Sequence, residues 1–172
     1  VLEQHPGKLY TTIGGDHSIT APIVRAIAKQ YPDKKIGIVQ FDTHLDMRDF
    51  SGGRTNGTPI RQLVDEGIVD GENVVNIGLH GFYNAPSLME AASTHGIQII
   101  TLKQLRKKGI EKTIDAAFQA LSHVDLIYVT VDMDVLDVAY APGVPSATPG
   151  GMRTDELFEC LYEIGKRRIF AI

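Results

Sequence analysis

Cysteine is almost missing from this chain: Cys160 is the only one in 172 residues. A lone thiol excludes an internal disulfide framework and fits a reducing, cytoplasmic setting. No run of about 18 apolar residues occurs, so no segment reads as a membrane-spanning helix. Lys and Arg number 17 against 21 Asp and Glu, giving a net charge of −4, and they form no cluster. Neutralising phosphates needs a basic surface, which argues against nucleic acid as a partner. Linkers, repeats and low-complexity stretches are missing too. With 43% hydrophobic content, residues 1–172 are expected to bury one core as a single domain. The chain opens on Val1 rather than Met and closes on the apolar run Ile169-Phe170-Ala171-Ile172, which reads as a strand cut midway. The expectation is a piece of a longer chain, truncated at both ends, with any upstream targeting signal out of view.

What is present is a regular alternation. Strand-like runs fall at 9–13, 35–41, 73–78, 97–101 and 126–131, with another beginning at 168. Helix-like runs lie between them: 18–31 with Ile19, Ile23 and Ile27 on one face, a short one capped by Thr58 and begun by Pro59, then 87–95, 110–121, and one capped by Thr154. Parallel strands need long crossovers, and helices supply them. The pattern predicts a three-layer α/β/α domain around a mainly parallel sheet.

Carboxylates gather where two of these strands end. Asp42-Thr43-His44-Leu45-Asp46 follows the run ending at Phe41, and Asp132-Met133-Asp134 follows the run ending at Val131. A third turn, Gly14-Gly15-Asp16-His17-Ser18, leads into a helix that Asp16 or Ser18 can cap, which leaves His17 as the unassigned polar group at the rim. Ligands bind at the carboxyl ends of strands in open parallel sheets. Asp there also makes caps and turns, but several unpaired carboxylates at one edge resist ionising together, and a cation removes that conflict. Alternation along an extended segment would turn Asp42, His44 and Asp46 to one point, and Asp132 with Asp134 likewise. Four carboxylates and two imidazoles, with no thiolate, suit Mn²⁺ or a similar divalent ion. Six ligands exceed the needs of one ion and fit two that share carboxylates. Two such ions about 3.5–4 Å apart acidify water and favour hydrolysis.

These three segments, in order, together with Ala141-Pro142-Gly143 and Gly150-Gly151, resemble the signature segments of the ureohydrolases, the arginase, agmatinase and formimidoylglutamase family. The resemblance runs from Gly14 to Glu156. It implies an arginase-like fold, two manganese ions per chain, hydrolysis of a C–N bond in a guanidino or formimino group, and a trimer or hexamer. By resemblance, His17, Asp42, Asp46 and Asp132 hold one ion, while Asp42, His44, Asp132 and Asp134 hold the other. It also implies a proton-shuttling role for Asp46 and contact of Glu156 with the substrate's amidine-like group. An alternative for Glu156 is a helix-dipole role in the first turn after Thr154.

One position narrows the branch. Where arginase-like and agmatinase-like members carry His before the glycine matching Gly57, this chain has Asn56, and an amide cannot relay protons as imidazole does. Thr55-Asn56-Gly57-Thr58-Pro59-Ile60-Arg61 and His80-Gly81-Phe82-Tyr83-Asn84 resemble the formimidoylglutamase branch. The implied reaction converts N-formimidoyl-L-glutamate to L-glutamate and formamide in histidine degradation. That substrate carries two carboxylates; among Arg48, Arg54 and Arg61, Arg54 is the expected clamp, with Asn56 beside it. The alternatives are an agmatinase-type or other guanidino hydrolase and, from another class, a non-catalytic metal-binding fragment or interaction module. A dimetal phosphoesterase fits less well, because the Asn-His and His-x-His segments of that class are missing downstream.

Overall fold

The structure is a computed structural model that describes residues 8–167. Four strands, β1 (Ile36–Phe41), β2 (Val74–Leu79), β3 (Gln98–Thr101) and β4 (Leu126–Val131), form one sheet. Their order is β3-β2-β1-β4, with all three pairings parallel. Every residue of β1 and β2 is buried, as expected for strands covered on both faces. Alternation divides their side chains between two cores. Val39, Phe41, Val75, Ile77 and Val129 face α4 (Leu102–Lys108), α5 (Ile110–Ala120) and α6 (Thr154–Gly165). Ile36, Ile38, Val74 and Tyr128 face α1 (Thr20–Gln30), α2 (Pro59–Asp65) and α3 (Pro86–Thr94). The three-layer α/β/α expectation holds. Among the described residues no helix is long and apolar enough to cross a membrane.

Several local expectations need correction. Residues 9–13 form no strand; Tyr10 makes a single bridge, and Leu9 and Ile13 are exposed, so their side chains gain nothing from sheet burial. The segment expected as helix from 18 begins as a 3₁₀ turn, His17–Ile19, capped by Asp16, whose side chain accepts from Ser18 N. Thr154 is the first residue of α6 rather than its cap. Glu156 reaches back to Arg153 N at 2.8 Å and sets the helix start one residue earlier. The strand expected from 168 lies outside the described residues.

Helix α4 escaped the periodicity reading because it is only seven residues long and follows β3 without a loop. Its signal is a capping box: Gln104 N donates to Thr101 Oγ1 at 3.2 Å and Thr101 N donates to Gln104 Oε1 at 2.8 Å. Thr101→Ala should therefore cost about 1 kcal/mol of stability. Ile114→Ala, which empties a fully buried site against the sheet, should cost about 2–5 kcal/mol. Denaturant unfolding of the two variants checks both values and their order.

Candidate metal centre

The carboxyl ends of β1 and β4 lie side by side, since Phe41 pairs with Val131. The residues that follow them therefore meet. The geometry that brings them together is not the extended alternation expected from sequence. His44 N donates to Asp42 Oδ1 at 2.6 Å, which closes a tight turn. Asp46 then sits at φ 53°, in the left-handed region that aspartate tolerates better than most residues. After β4, Asp132 caps the 3₁₀ turn Met133–Val135 by accepting from Asp134 N at 3.0 Å. Turns, rather than a pleat, aim the carboxylates.

His17 enters from the turn ahead of α1. Its Nδ1 lies 2.6 Å from Asp46 Oδ2, 3.1 Å from Asp42 Oδ2 and 3.5 Å from Asp132 Oδ2. His44 Nδ1 lies 2.9 Å from Asp134 Oδ2 and 3.4 Å from Asp42 Oδ1. Two groups of potential metal donors result, His17-Asp42-Asp132 and Asp42-His44-Asp134, with ligand atoms in each within 4.8 Å of one another. Asp42 belongs to both, one oxygen toward each histidine. Asp46, though outside these two sets, is held against His17.

Sequence reasoning overlooked the residues that aim these ligands. Gln40 Nε2 donates to Asp42 Oδ2 at 2.6 Å, and Thr130 Oγ1 lies 2.9 Å from His17 Nε2. Each stands two positions before a motif aspartate, a buried polar residue inside an apolar strand. Asn76 in β2 is a third, donating to His44 O at 2.7 Å. A polar side chain interrupting a run that is otherwise Ile, Val and Phe was the available signal, because burial without a partner is costly.

The donor chemistry fits a pair of divalent cations. Four carboxylates carry four negative charges when ionised, which two divalent ions would balance (4 × −1 + 2 × +2 = 0). Among the described residues, His17 Nδ1 and Asp46 Oδ2 are buried without a hydrogen-bond partner despite their closeness. With the side chains alone, protons must supply the missing positive charge. Burial and the charge of Asp42 push Asp46 up to about 7, and burial above all pushes Asp134 up to about 6. Burial opposes charging of both histidines, but the close aspartates prevail: His17 rises to about 11 beside Asp42 and Asp46, and His44 to about 10 beside Asp134 and Asp42. Asp42 goes the other way; against burial, its contacts with the two histidines hold it below the usual carboxylate range.

These residues open into a cavity of about 520 Å³, lined by His17, His44, Asp46, Asp132 and Asp134. Asn56 and Arg48 line it too, and the 48–57 loop is closed beneath them: Arg48 N donates to Gly57 O at 3.1 Å, and Arg48 Cδ passes 3.0 Å from where a Cβ on Gly57 would sit. Two expected substrate contacts are not brought here. Arg54 is exposed and donates to Glu66 Oε1 at 3.0 Å, away from the cavity lining. Glu156 is also outside that lining: Arg106 Nε and Nη2 grip its two oxygens at 2.9 Å each, and its own helix start takes a further bond. Three hydrogen bonds from within the chain thus occupy that carboxylate, and its pKa is lowered first by Arg106.

A parallel α/β sheet with two adjoining sets of potential metal donors at its carboxyl edge is the scaffold of a metal-dependent enzyme class. The arginase family profile matches residues 1–172, and the chain belongs to that family. It is 42% identical over 168 residues to a formimidoylglutamase of Halalkalibacterium halodurans, covering 96% of this chain and 52% of that one. It superimposes on the crystal structure of formimidoylglutamase from Bacillus subtilis with TM-score 0.94 at 37% identity, covering 99% of this chain and 54% of the other. A Trypanosoma cruzi formiminoglutamase crystallised with Mn²⁺ gives TM-score 0.86 at 28% identity, over 96% and 55% of the two chains. The chain thus spans about half the length of these relatives.

Arg106→Ala should lower stability by about 1–3 kcal/mol at neutral pH, because it strands the buried Glu156 carboxylate beside a partly exposed partner. Glu156 is depressed in the folded state, so its contribution is full above its ordinary value of 4.5 and disappears as pH falls through the lower folded value. Unfolding curves of parent and variant should converge below that range; a gap that persists or widens in acid would contradict this account of Glu156.

Proposed function

We propose that the whole protein is a binuclear manganese hydrolase that cleaves N-formimidoyl-L-glutamate to L-glutamate and formamide. The observation that carries this reading is Asp42, fully buried, with one oxygen toward each of two donor sets. His17, Asp42, Asp46 and Asp132 would hold one ion, and Asp42, His44, Asp132 and Asp134 the other. Such a pair, when bound, supplies Lewis acidity that acidifies water and polarises the carbon under attack. Water adds to the formimino carbon, the bond from that carbon to the glutamate nitrogen breaks, and the nitrogen takes up a proton. Asp46, at the cavity wall, is the residue placed to pass that proton on. Gln40 and Thr130 keep Asp42 and His17 aimed.

Substrate recognition falls to Arg48 and Asn56, which share the cavity with the metal-binding groups. A guanidinium suits the carboxylates of formimidoylglutamate through paired N–H donors. The positively charged amine end of agmatine would be repelled there, which sets this reading above an agmatinase. In this reading the enzyme is cytoplasmic, with a small-molecule substrate, and assembles as a homo-oligomer.

Incubating the manganese-loaded full-length protein with formimidoylglutamate or agmatine tests the choice. Formamide release is expected; urea from agmatine would instead establish an agmatinase, and bound manganese with no formamide would contradict the formimidoylglutamate assignment. Arg48→Ala should raise KM by about tenfold or more, the worth of a charged hydrogen bond, whereas Arg54→Ala should leave KM within about twofold, as for exposed ion pairs.

A further inference from the structure

Residues 137–151 leave the sheet edge just after Asp134 and return to it, and the excursion's apex forms part of the cavity wall through Gly143, Val144, Pro145 and Ser146. Ser146 lies at φ 68°. A non-glycine residue there costs of the order of 1–2 kcal/mol and persists only where its surroundings enforce it. The apex itself is exposed at Pro142, Gly143, Pro145 and Ser146; turn bonds from Val144 N to Ala141 O and from Ala147 N to Val144 O shape it locally, and the base of the loop fixes where it stands.

That base converges on one carboxylate. Asp137 Oδ1 accepts from Ala139 N at 2.9 Å, while Oδ2 accepts from Gly150 N at 2.6 Å and Gly151 N at 3.1 Å. Both ends of the excursion are tied to the same side chain. Main-chain bonds run beside it, Asp137 N to Met152 O at 2.9 Å and Val138 N to Thr148 O at 3.2 Å. The two backbones approach so closely that a Cβ on Gly151 would fall 2.4 Å from Asp137 N, which explains the glycine. From the other side, Arg106 Nη2 donates to Gly151 O at 2.9 Å. Asp137 is not among the cavity-lining residues, so any influence it has on substrate must pass through the loop.

We propose that Asp137 is a positioning residue: by closing the base of the 137–151 excursion, its carboxylate holds the 143–146 wall in place against bound substrate. The proposal rests on the hydrolase reading above. Hydrogen bonds to an ionised acceptor are the strong class, and three converge here. Replacing one oxygen by an amide turns an acceptor into a donor facing N–H groups, which breaks part of the clamp while changing the side chain's size very little.

The test is Asp137→Asn in the full-length, manganese-loaded protein, read three ways. Manganese content should not change, because the ligands precede the loop. Amide hydrogen exchange should accelerate by about tenfold or more on the side of the clamp that faces the new amide nitrogen, either Ala139 or the Gly150–Gly151 pair, with β1 and β4 unaffected. With formimidoylglutamate, kcat/KM should fall by about tenfold or more, chiefly through KM. Unchanged exchange, or faster exchange with unchanged kcat/KM, overturns the proposal. If the variant does not fold, exchange in the wild-type protein decides: the three clamped amides should be far better protected than those of Gly143 and Ser146, and equal protection overturns it. Wild-type protein that releases no formamide would refute the substrate assignment instead, and the exchange comparison would still settle whether Asp137 holds the wall.

Discussion

Mutual repulsion among Asp42, Asp46, Asp132 and Asp134 is what the rest of this structure has to accommodate. Four carboxylates, three of them almost wholly buried within about 3 Å of a histidine nitrogen, cannot all ionise without compensating positive charge. The raised values of Asp46 and Asp134 and the depressed Asp42 express that conflict in protons. Divalent cations resolve the same conflict with less disturbance, and the geometry divides the ligands so that Asp42 serves both sides.

The scaffold meets this demand at the junction of two parallel strands. Pairing of β1 with β4 brings two sets of post-strand turns together, and the turn ahead of α1 delivers His17 from a third direction. Rigidity comes from the strands, whose apolar side chains fill cores on both faces. Precision comes from the few polar groups allowed into those strands. Gln40, Thr130 and Asn76 each make a hydrogen bond to a candidate metal-binding residue or its backbone, which orients the site, while Gln40 Oε1 and Asn76 Oδ1 stay buried without a hydrogen-bond partner. The strained φ of Asp46 belongs to the same economy, a local cost sustained by the packing around it.

Much of this was legible beforehand. Strands β1, β2 and β4 stand out as apolar runs because burial on both faces demands them, the half-buried edge strand β3 shows through its two isoleucines, and α5 stands out through its one-sided Ile114 and Ala117. The six metal-binding candidates were visible because acids and histidines at strand ends are chemically conspicuous. Less visible was anything decided by distant partners. Glu156 sits in a motif, yet its carboxylate belongs to Arg106, 50 residues away; Arg54 looked suited to a substrate, yet Glu66 holds it. Periodicity missed α4 and misplaced a strand at 9–13, because short segments depend on their neighbours more than on their own pattern. The extended alternation invoked for Asp42 to Asp46 predicted the right convergence by the wrong route, since a side-chain-closed turn does the work.

The most direct test of the central claim is anomalous diffraction from crystals of the full-length protein grown with manganese. Two peaks about 3.5–4 Å apart, with Asp42 reaching both and His17 and His44 on opposite ions, are the predicted result. A single peak, or two that do not share Asp42, would contradict it.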